Sequence, residues 1–351
     1  MEFGIFHEFP SLGAGRDSEA IGHGFELIDD AERWGLDALW LAELHFDPDR
    51  SVAAAPLCLA AAAAARTARL RIGIGVQVLP LAHPLRLAEE AATVDQISRG
   101  RLILGVGRSG VARTYEAYGV PYGESQARFA EVLRILQAAW SDDEVSHAGA
   151  HYRFESVAVT PRPFRPGGPP IRVAASSADT YAAIGRMGFP LFAGVRHEGI
   201  AHIAPLIAAY RAAWREAGHP GQGQVYLRFP AYLAATEANA RAEAEASLIH
   251  YYRAQGALLA DSARRAGVAP AAAAERARQA RVLNDMTFEE ASRGIVLIGT
   301  PDSFAARLAE VRDALGLDGI LAELDTGGRI PHAQVRTALR LLCQEVRPRF
   351  R

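Results

Sequence analysis

The sequence has little cysteine and no long hydrophobic segment. Its two cysteines, Cys58 and Cys343, lie far apart and lack the spacing of metal ligands, so we expect neither a disulfide framework nor a bound metal. The longest apolar run, residues 52–65, contains a proline and is too short to cross a bilayer. The first residues lack the basic region and the cleavage pattern of a signal peptide. These absences predict a cytoplasmic protein without a membrane partner.

The sequence also lacks an excess of charge of either sign. Lysine and arginine total 38 against 40 acidic residues, which gives a net charge of −2. This balance argues against nucleic acid as a partner, because a polyanion favours a basic surface. Apolar side chains, in contrast, make up 50% of the 351 residues. That share is enough to bury a large core.

Short segments typical of β-strands alternate along the chain with amphipathic helical segments. The strand candidates are residues 2–6, 37–42, 70–80, 100–107, 170–176, 189–195, 224–234 and 318–324. Because a helix follows each strand, we expect parallel strands joined by helical crossovers. Eight such units favour an α/β fold of the (β/α)8 type, a TIM barrel, as a single domain over residues 1–351.

Two insertions interrupt the alternation. Residues 140–170, after the fourth strand, have the pattern of a small β-hairpin followed by a proline-rich stretch. Residues 256–293, between the seventh and eighth strands, are rich in alanine and arginine and contain few large apolar side chains. A segment of this length within a barrel is a helical excursion, a mobile lid over the site, or both.

In barrels of this type the active site lies at the carboxyl ends of the strands. Polar and charged side chains lie at the ends of the strand candidates; among them are His7, Glu8, Glu43, His45, Gln77, Arg108, Arg196, Arg228 and Glu323. For each of them taken alone, the alternative to a functional role is a polar residue satisfied at the barrel rim.

One pair of neighbouring strand ends suggests an anion site. The run from Gly105 to Gly110 places glycine amides beside Arg108, and hydroxyl groups follow the fifth strand where its helix begins. Free amides and hydroxyls at a helix N-terminus bind anions, so this combination predicts a phosphate site. A serine that only caps the helix, Ser176 or Ser177, is the alternative.

Several longer motifs resemble those of the bacterial luciferase-like flavin-dependent monooxygenases. They are "MEFGIF", "GLDALWLAELHF", "VLPLAHPLRLAEEAATVDQISRGRLILGVGRSG", "VAASSADTY", "IGTPDSFAARL" and "GLDGILAELDTGG". The resemblance covers essentially the whole chain. It implies that reduced flavin mononucleotide (FMN) and dioxygen oxygenate a small organic substrate. It also implies a homodimer and a separate NAD(P)H:flavin reductase as partner.

The resemblance also implies which residues bind FMN. The phosphate would contact the arginine after the fourth strand and the loop after the fifth; these residues are Arg108, Ala175, Ser176, Ser177 and Thr180. Ala175 replaces a family glutamate that acts largely through its backbone. The flavin ring would lie over a cis peptide bond, which corresponds here to the bond between Gly75 and Val76.

The stretch "ELHF" departs from the family pattern Glu-His-His-Phe. Leu44 stands where the family has the histidine assigned to acid–base work, whereas Glu43 and His45 match. His45, Glu43 and Gln77 are then the catalytic candidates. Because adjacent residues of a strand point to opposite faces, the alternative for His45 is a structural bond to Glu43 or to a backbone carbonyl. Gly107 replaces a luciferase cysteine, and both changes argue against light emission from a long-chain aldehyde.

The substrate side is predicted from the remaining strand ends and from the helix after the seventh strand. The candidates are Glu8, Leu44, Arg196, Arg228 and Tyr251. Two other functions fit the same barrel. One is a deazaflavin- or nicotinamide-linked oxidoreductase that transfers hydride without oxygen, and the other is a non-catalytic flavin-binding protein.

Overall fold

The computed structural model describes residues 1–175 and 177–350. Its strands are β1 (Glu2–His7), β2 (Ala38–Leu41), β3 (Arg71–Val78), β4 (Leu102–Gly107), β5 (Val145–Ala148), β6 (Arg153–Val157), β7 (Ile171–Ala175), β8 (Leu191–Gly194), β9 (Val225–Leu233), β10 (Leu297–Gly299) and β11 (Gly319–Glu323). Its α-helices are α1 (Asp17–Arg33), α2 (Pro56–Arg66), α3 (Pro84–Ser98), α4 (Ala112–Ala117), α5 (Ser125–Ser141), α6 (Ala178–Met187), α7 (Ile200–Glu216), α8 (Glu237–Ala263), α9 (Pro270–Asn284), α10 (Phe288–Ala291), α11 (Pro301–Leu315) and α12 (His332–Leu341). Ser176, one of the predicted phosphate contacts, lies outside the described residues.

Parallel strands close into a barrel in the order β1, β2, β3, β4, β7, β8, β9 and β11, and β11 pairs back onto β1. The closing pair has Glu2 opposite Gly319 and Ile5 opposite Ala322. Helices lie in the crossovers between successive barrel strands, as parallel pairing requires. The predicted (β/α)8 barrel is therefore confirmed.

Trp40 fills the middle of the barrel. Its side chain is fully buried and stacks on Phe192 with the ring centroids 5.7 Å apart. A Cβ built on Gly73 would lie 2.4 Å from the Trp40 ring, and one built on Gly4 would lie 3.1 Å from it. Neighbouring strands thus use glycine to make room for the indole. The barrel is a packed core at this level, which leaves the carboxyl ends of the strands as the place for a site.

Both predicted insertions are present. Strands β5 and β6 form the expected antiparallel hairpin after β4 and α5. The later insertion is helical: the end of α8 is followed by α9 and by the short α10. Whether this insertion acts as a lid stays a prediction.

Within residues 1–175 and 177–350 the structure contains two α-helices, α4 and α11, and one strand, β10, that the sequence patterns did not predict. Strand β10 pairs with the carboxyl-terminal part of β9, and α11 leads from it to β11. Three residues are too few to show a strand pattern. The start of α11 does have a signal, because Thr300 caps the helix, Pro301 occupies its first turn and Ser303 completes a capping box. In the part of the chain that the structure describes, no helix is long and apolar enough to span a membrane.

Candidate active site

The carboxyl end of the barrel has an apolar half and a charged half. The apolar half consists of Leu44, Val76 and Ala174, which pack on buried side chains of the barrel interior. The contiguous strands β9, β11 and β1, with the loop after β2, supply charged side chains instead. These side chains, which we call the charged half, are Glu8, Arg50, Arg228 and Glu323.

Leu44 and the predicted catalytic residues lie on opposite faces of the segment that follows β2. Leu44 packs in the apolar half. His45 lies on the opposite face, where its Nε2 is 2.9 Å from Oε1 of Glu43. The other carboxylate oxygen of Glu43 accepts hydrogen bonds from the side-chain amide of Gln77 at 2.7 Å and from the β3 backbone at 2.8 Å. Glu43, His45 and Gln77 therefore form one network that excludes Leu44.

This network lines a cavity of about 230 Å³ between β2, β3 and the helices α2 and α3. The cavity also contacts Cys58 on α2, and the Tyr118 hydroxyl lies 3.3 Å from Nδ1 of His45. With both Glu43 oxygens and both His45 nitrogens in contact with partners, the network holds the segment after β2 in place. A catalytic role for Glu43, His45 and Gln77 stays a prediction.

Val76 and Gly107 fit together beside the apolar half. The peptide bond between Gly75 and Val76 is cis. A Cβ built on Gly107 would lie 2.6 Å from Cγ2 of Val76 and 3.5 Å from its Cβ. The valine therefore occupies the space that a side chain at position 107 would need.

Replacing Gly107 by alanine is expected to destabilise the protein by about 1–3 kcal/mol, because the new methyl group must displace Val76. In a Val76→Ala background the clashing methyl is absent, so the same substitution should cost clearly less. Chemical denaturation of both single variants and the double variant measures this coupling. An equal cost in both backgrounds would show that Val76 does not limit the space.

The predicted phosphate residues lie at the adjacent ends of β4 and β7, which pair with each other. Arg108 follows β4, and its guanidinium group makes no hydrogen bond or ion pair with any residue that the structure describes. Strand β7 ends at Ala175, and Ser177 is the N-cap of α6. The hydroxyl of Thr180 accepts a hydrogen bond from the Ser177 amide at 3.2 Å. An arginine without a partner beside a helix N-terminus favours an anion.

Each member of the charged half contacts a partner of opposite charge. Arg50 donates to the two carboxylate oxygens of Glu8 at 2.9 and 2.5 Å. Arg228 donates to Glu323 at 2.6 Å and to Glu8 at 3.3 Å. The Arg228 guanidinium carbon also lies 3.8 Å from the centre of the Phe6 ring, a cation–π arrangement. Two guanidinium groups thus face two carboxylates, and each buried ion has a counterion.

The pKa values of the two carboxylates of the charged half are shifted in opposite directions. Burial opposes the ionised form of Glu8, but Arg50 and Arg228 together outweigh it and lower the pKa of this carboxyl below its ordinary value. Burial prevails at Glu323 and raises the pKa of that carboxyl, although Arg228 opposes the shift. Oε1 of Glu323 is buried without a hydrogen-bond partner within the described residues. Glu323 is therefore the member of the charged half best suited to hold a proton.

Helix α8 covers the charged half. Tyr251 is 4% exposed, and burial raises the pKa of its hydroxyl. When the side-chain amide of Gln255 is oriented with its oxygen toward Arg50, this oxygen accepts a hydrogen bond from the Arg50 guanidinium group at 2.8 Å. Arg196, a predicted substrate contact, is tied to this helix through its backbone carbonyl, which accepts from the Tyr252 hydroxyl at 2.8 Å. Tyr251 thus adjoins the charged half, whereas the guanidinium group of Arg196 is not part of its ionic network.

Arg50 and Gln255 were not predicted for the site, and Glu323 was predicted only as one of the polar groups at the strand ends. Its position at the end of a recognisable strand is the signal that identified Glu323. Arg50 reaches the charged half because the following residue, Ser51, bridges to Pro10. Gln255 lies in the second half of the long helix α8. The positions of Arg50 and Gln255 in the charged half have no local sequence signal.

His7, at the end of β1, is a buried imidazole beside this site. Its Nε2 has no hydrogen-bond partner among the described residues, and its ring packs on Phe9 with centroids 4.7 Å apart. Burial is the largest influence and lowers the pKa of His7 from 6.5 to about 4. The folded protein therefore holds His7 neutral at pH values where the unfolded chain binds a proton.

The free energy of unfolding should consequently fall by about 3 kcal/mol as the pH decreases from 6.5 through 4, and the contribution is fully present above pH 6.5. His7→Gln should remove this part of the acid sensitivity. His202→Gln, at an exposed position, is the control and should leave it unchanged. Denaturant titrations at several pH values measure the slope, and equal slopes for the wild type and His7→Gln would contradict the prediction.

A family model described as luciferase-like monooxygenase matches residues 1–318, and the chain belongs to this family. Among curated relatives, the oxygenase component of flavin-dependent trigonelline monooxygenase from Acinetobacter baylyi is 27% identical over 228 residues, which are 64% of this chain and 63% of the relative. An F420-dependent glucose-6-phosphate dehydrogenase from Kineococcus radiotolerans is 31% identical over 182 residues, which are 50% of this chain and 53% of the relative.

A solved structure supports the fold. The oxygenating constituent of 3,6-diketocamphane monooxygenase from Pseudomonas putida, in complex with FMN, matches with a TM-score of 0.81 at 20% identity. The match covers 99% of this chain and 98% of that one. The curated relatives are matched over less of their length, between 44% and 63%. The family model therefore establishes the family of this chain, and the solved structure supports its fold.

Proposed function

We propose that this chain is the oxygenase component of a two-component monooxygenase, which uses reduced FMN and dioxygen to oxygenate a small organic substrate. The separation of an apolar half and a charged half at the carboxyl end of the barrel supports this proposal. The apolar half lies on the side of the mouth that includes Arg108 and the start of α6, and this arrangement fits a flat ring attached to a phosphate. The charged half lies on the opposite side and is left for a substrate.

The described residues have distinct roles in this proposal. Arg108 and the amides at the start of α6 would hold the phosphate, and Leu44 and Val76 would face the ring and exclude water. Reduced FMN, when bound, would supply the electrons for oxygen activation, with one oxygen atom entering the substrate and the other leaving as water. Glu323 would hold or release a proton on the substrate side. A separate NAD(P)H:flavin reductase would supply the reduced FMN.

Flavin binding and oxygen reactivity test the proposal together. The purified chain should bind reduced FMN under anaerobic conditions, and the bound flavin should react with dioxygen at a rate different from that of free reduced FMN in a stopped-flow instrument. Incorporation of labelled oxygen into a product, with a flavin reductase present, would identify the substrate in a screen of small organic compounds. A chain that binds neither oxidised nor reduced FMN would contradict the proposal.

An oxidoreductase that transfers hydride with the deazaflavin F420 is the second candidate. The F420-dependent relative from Kineococcus radiotolerans favours it. Anaerobic turnover with reduced F420 distinguishes the two functions, because a monooxygenase cannot turn over without oxygen.

We also propose a homodimer in which α2 and α3 form the interface. Helix α2 exposes the small side chains of Cys58, Ala62 and Ala65, which allow another helix to approach closely. Light scattering of the pure protein should give twice the mass of one chain, and the mass of a single chain would contradict the dimer.

A further inference from the structure

We propose that Arg276, in the insertion between β9 and β11, binds the flavin phosphate together with Arg108. The helical insertion would then contribute directly to the cofactor site. The inference rests on the proposed function, because it concerns how that flavin would be held.

The tip of the insertion packs on the connection that follows β4. Arg265, in the turn after α8, forms an ion pair with Glu116 of α4. A Cβ built on Gly267 would lie 3.2 Å from the amide nitrogen of Gly123, so the two turns are in close contact. These contacts place the start of α9 beside the segment that follows Arg108.

Arg276 extends from α9 to this segment. Its Nη2 donates a hydrogen bond to the Tyr122 hydroxyl, and the same nitrogen would lie 4.0 Å from a Cβ built on Gly110, two residues after Arg108. Nη1 of Arg276 is buried and has no hydrogen-bond partner within residues 1–175 and 177–350. A buried donor that belongs to a cation is costly to leave without an acceptor.

Within the described residues Arg276 has no counterion, unlike Arg265 and Arg278 in the same insertion. Arg265 pairs with Asp261 at 2.7 Å, and Arg278 pairs with Glu275 at 2.6 Å. Among the residues described, no carboxylate lies within 4.0 Å of Arg276.

Arg108 also has no counterion within the described residues, so the loop after β4 carries one such guanidinium group and lies close to a second, that of Arg276. Arginine binds phosphate through paired, charge-assisted hydrogen bonds, and two such groups match an anion with several oxygens. The phosphate of the proposed FMN is such an anion. A phosphate bound by both arginines would also connect the insertion to the barrel, so flavin binding would stabilise the packing of the insertion on the connection after β4.

A comparison of FMN with riboflavin, which has the same ring and no phosphate, isolates this contact. Arg276→Gln is expected to weaken FMN binding about tenfold or more and to leave riboflavin binding unchanged in fluorescence titrations. Arg278→Gln, at an exposed position of the same helix, is the matched control and should change neither affinity. Arg276→Lys should give an intermediate FMN affinity, because it keeps the charge without the paired geometry.

A second readout follows the insertion itself. FMN should slow tryptic cleavage after Arg264 and Arg265, in the turn between α8 and α9, and riboflavin should not. FMN should not protect the Arg276→Gln variant, whose unchanged circular dichroism would show that it is folded.

The outcomes separate the inference from the proposed function. If Arg276→Gln weakens FMN and riboflavin equally, or weakens neither, the inference is wrong. If Arg108→Gln abolishes the preference for FMN while Arg276→Gln keeps it, only the inference fails. A wild type that binds neither flavin would instead contradict the proposed function.

Discussion

Replacing Arg228 by methionine is expected to lower the free energy of unfolding by about 3–5 kcal/mol. The substitution removes the cation that contacts Glu323 at 2.6 Å and Glu8 at 3.3 Å, and it leaves two buried carboxylates to Arg50 alone. Removing one partner of a buried ionic network is costly because the remaining charge is neither hydrated nor compensated. Chemical denaturation near neutral pH measures the loss.

Arg241→Met is the matched control for this experiment. Arg241 also pairs with a carboxylate, Glu245 at 2.9 Å, but its side chain is 50% exposed, and such pairs contribute at most about 1 kcal/mol. Adding Glu323→Gln to Arg228→Met should recover part of the loss, since a neutral amide needs no counterion. The double variant should still bind FMN if the flavin occupies the apolar half. Equal losses for Arg228→Met and Arg241→Met would contradict a buried ionic network.

Replacing Trp40 by alanine is expected to cost about 3–5 kcal/mol of unfolding free energy. The indole is fully buried at the centre of the barrel, and the strands around it carry glycine where other residues would have filled the space. A rigid closed barrel cannot collapse into the cavity, so the loss should lie toward the upper end of this range. Trp34→Ala, at a partly exposed position after α1, should cost less.

Gly73 provides the sharper test of this packing. The three atoms nearest to a Cβ at position 73 all belong to Trp40, at 2.4 to 2.8 Å. Gly73→Ala should therefore destabilise the wild type but stabilise the Trp40→Ala variant, in which the methyl group enters vacated space. Gly105→Ala is the control, because its Cβ would meet the backbone oxygen of Ile74 at 2.1 Å in either background. The same sign for Gly73→Ala in both backgrounds would show that Trp40 does not determine the space there.

The barrel was predictable because the alternation of strand and helix is a local pattern that recurs along the chain. Strand alternation likewise predicts that Leu44 and His45 face opposite sides, and the structure places Leu44 in the apolar half. The partner of His45 was less certain, since Glu43 and a backbone carbonyl were both open to it. Strand β10 is too short to produce a pattern. The charged half depends on a loop that brings Arg50 to Glu8, and such long-range contacts have no signature in neighbouring residues.

The position of Arg276 illustrates the same limit. The composition of residues 256–293 indicates a helical segment, but the surface on which that segment packs depends on contacts such as the Arg265–Glu116 ion pair. Those contacts join parts of the chain that are far apart in sequence. The sequence therefore contains Arg276 and the loop after β4 without showing that they lie close together in the fold.

The pairing of β11 with β1 affects the charged half and the apolar half differently when the barrel opens locally. Glu8 and Arg228 are 220 residues apart in sequence, and the charged half exists only while β11 is paired with β1. The apolar half belongs to β2, β3 and β7, which remain neighbours of their own partners if that seam opens. Partial opening under mild heat or denaturant would thus disrupt first the surface that we propose for the substrate. Such a partly opened form would keep the surface proposed for the flavin ring after losing the surface proposed for the substrate.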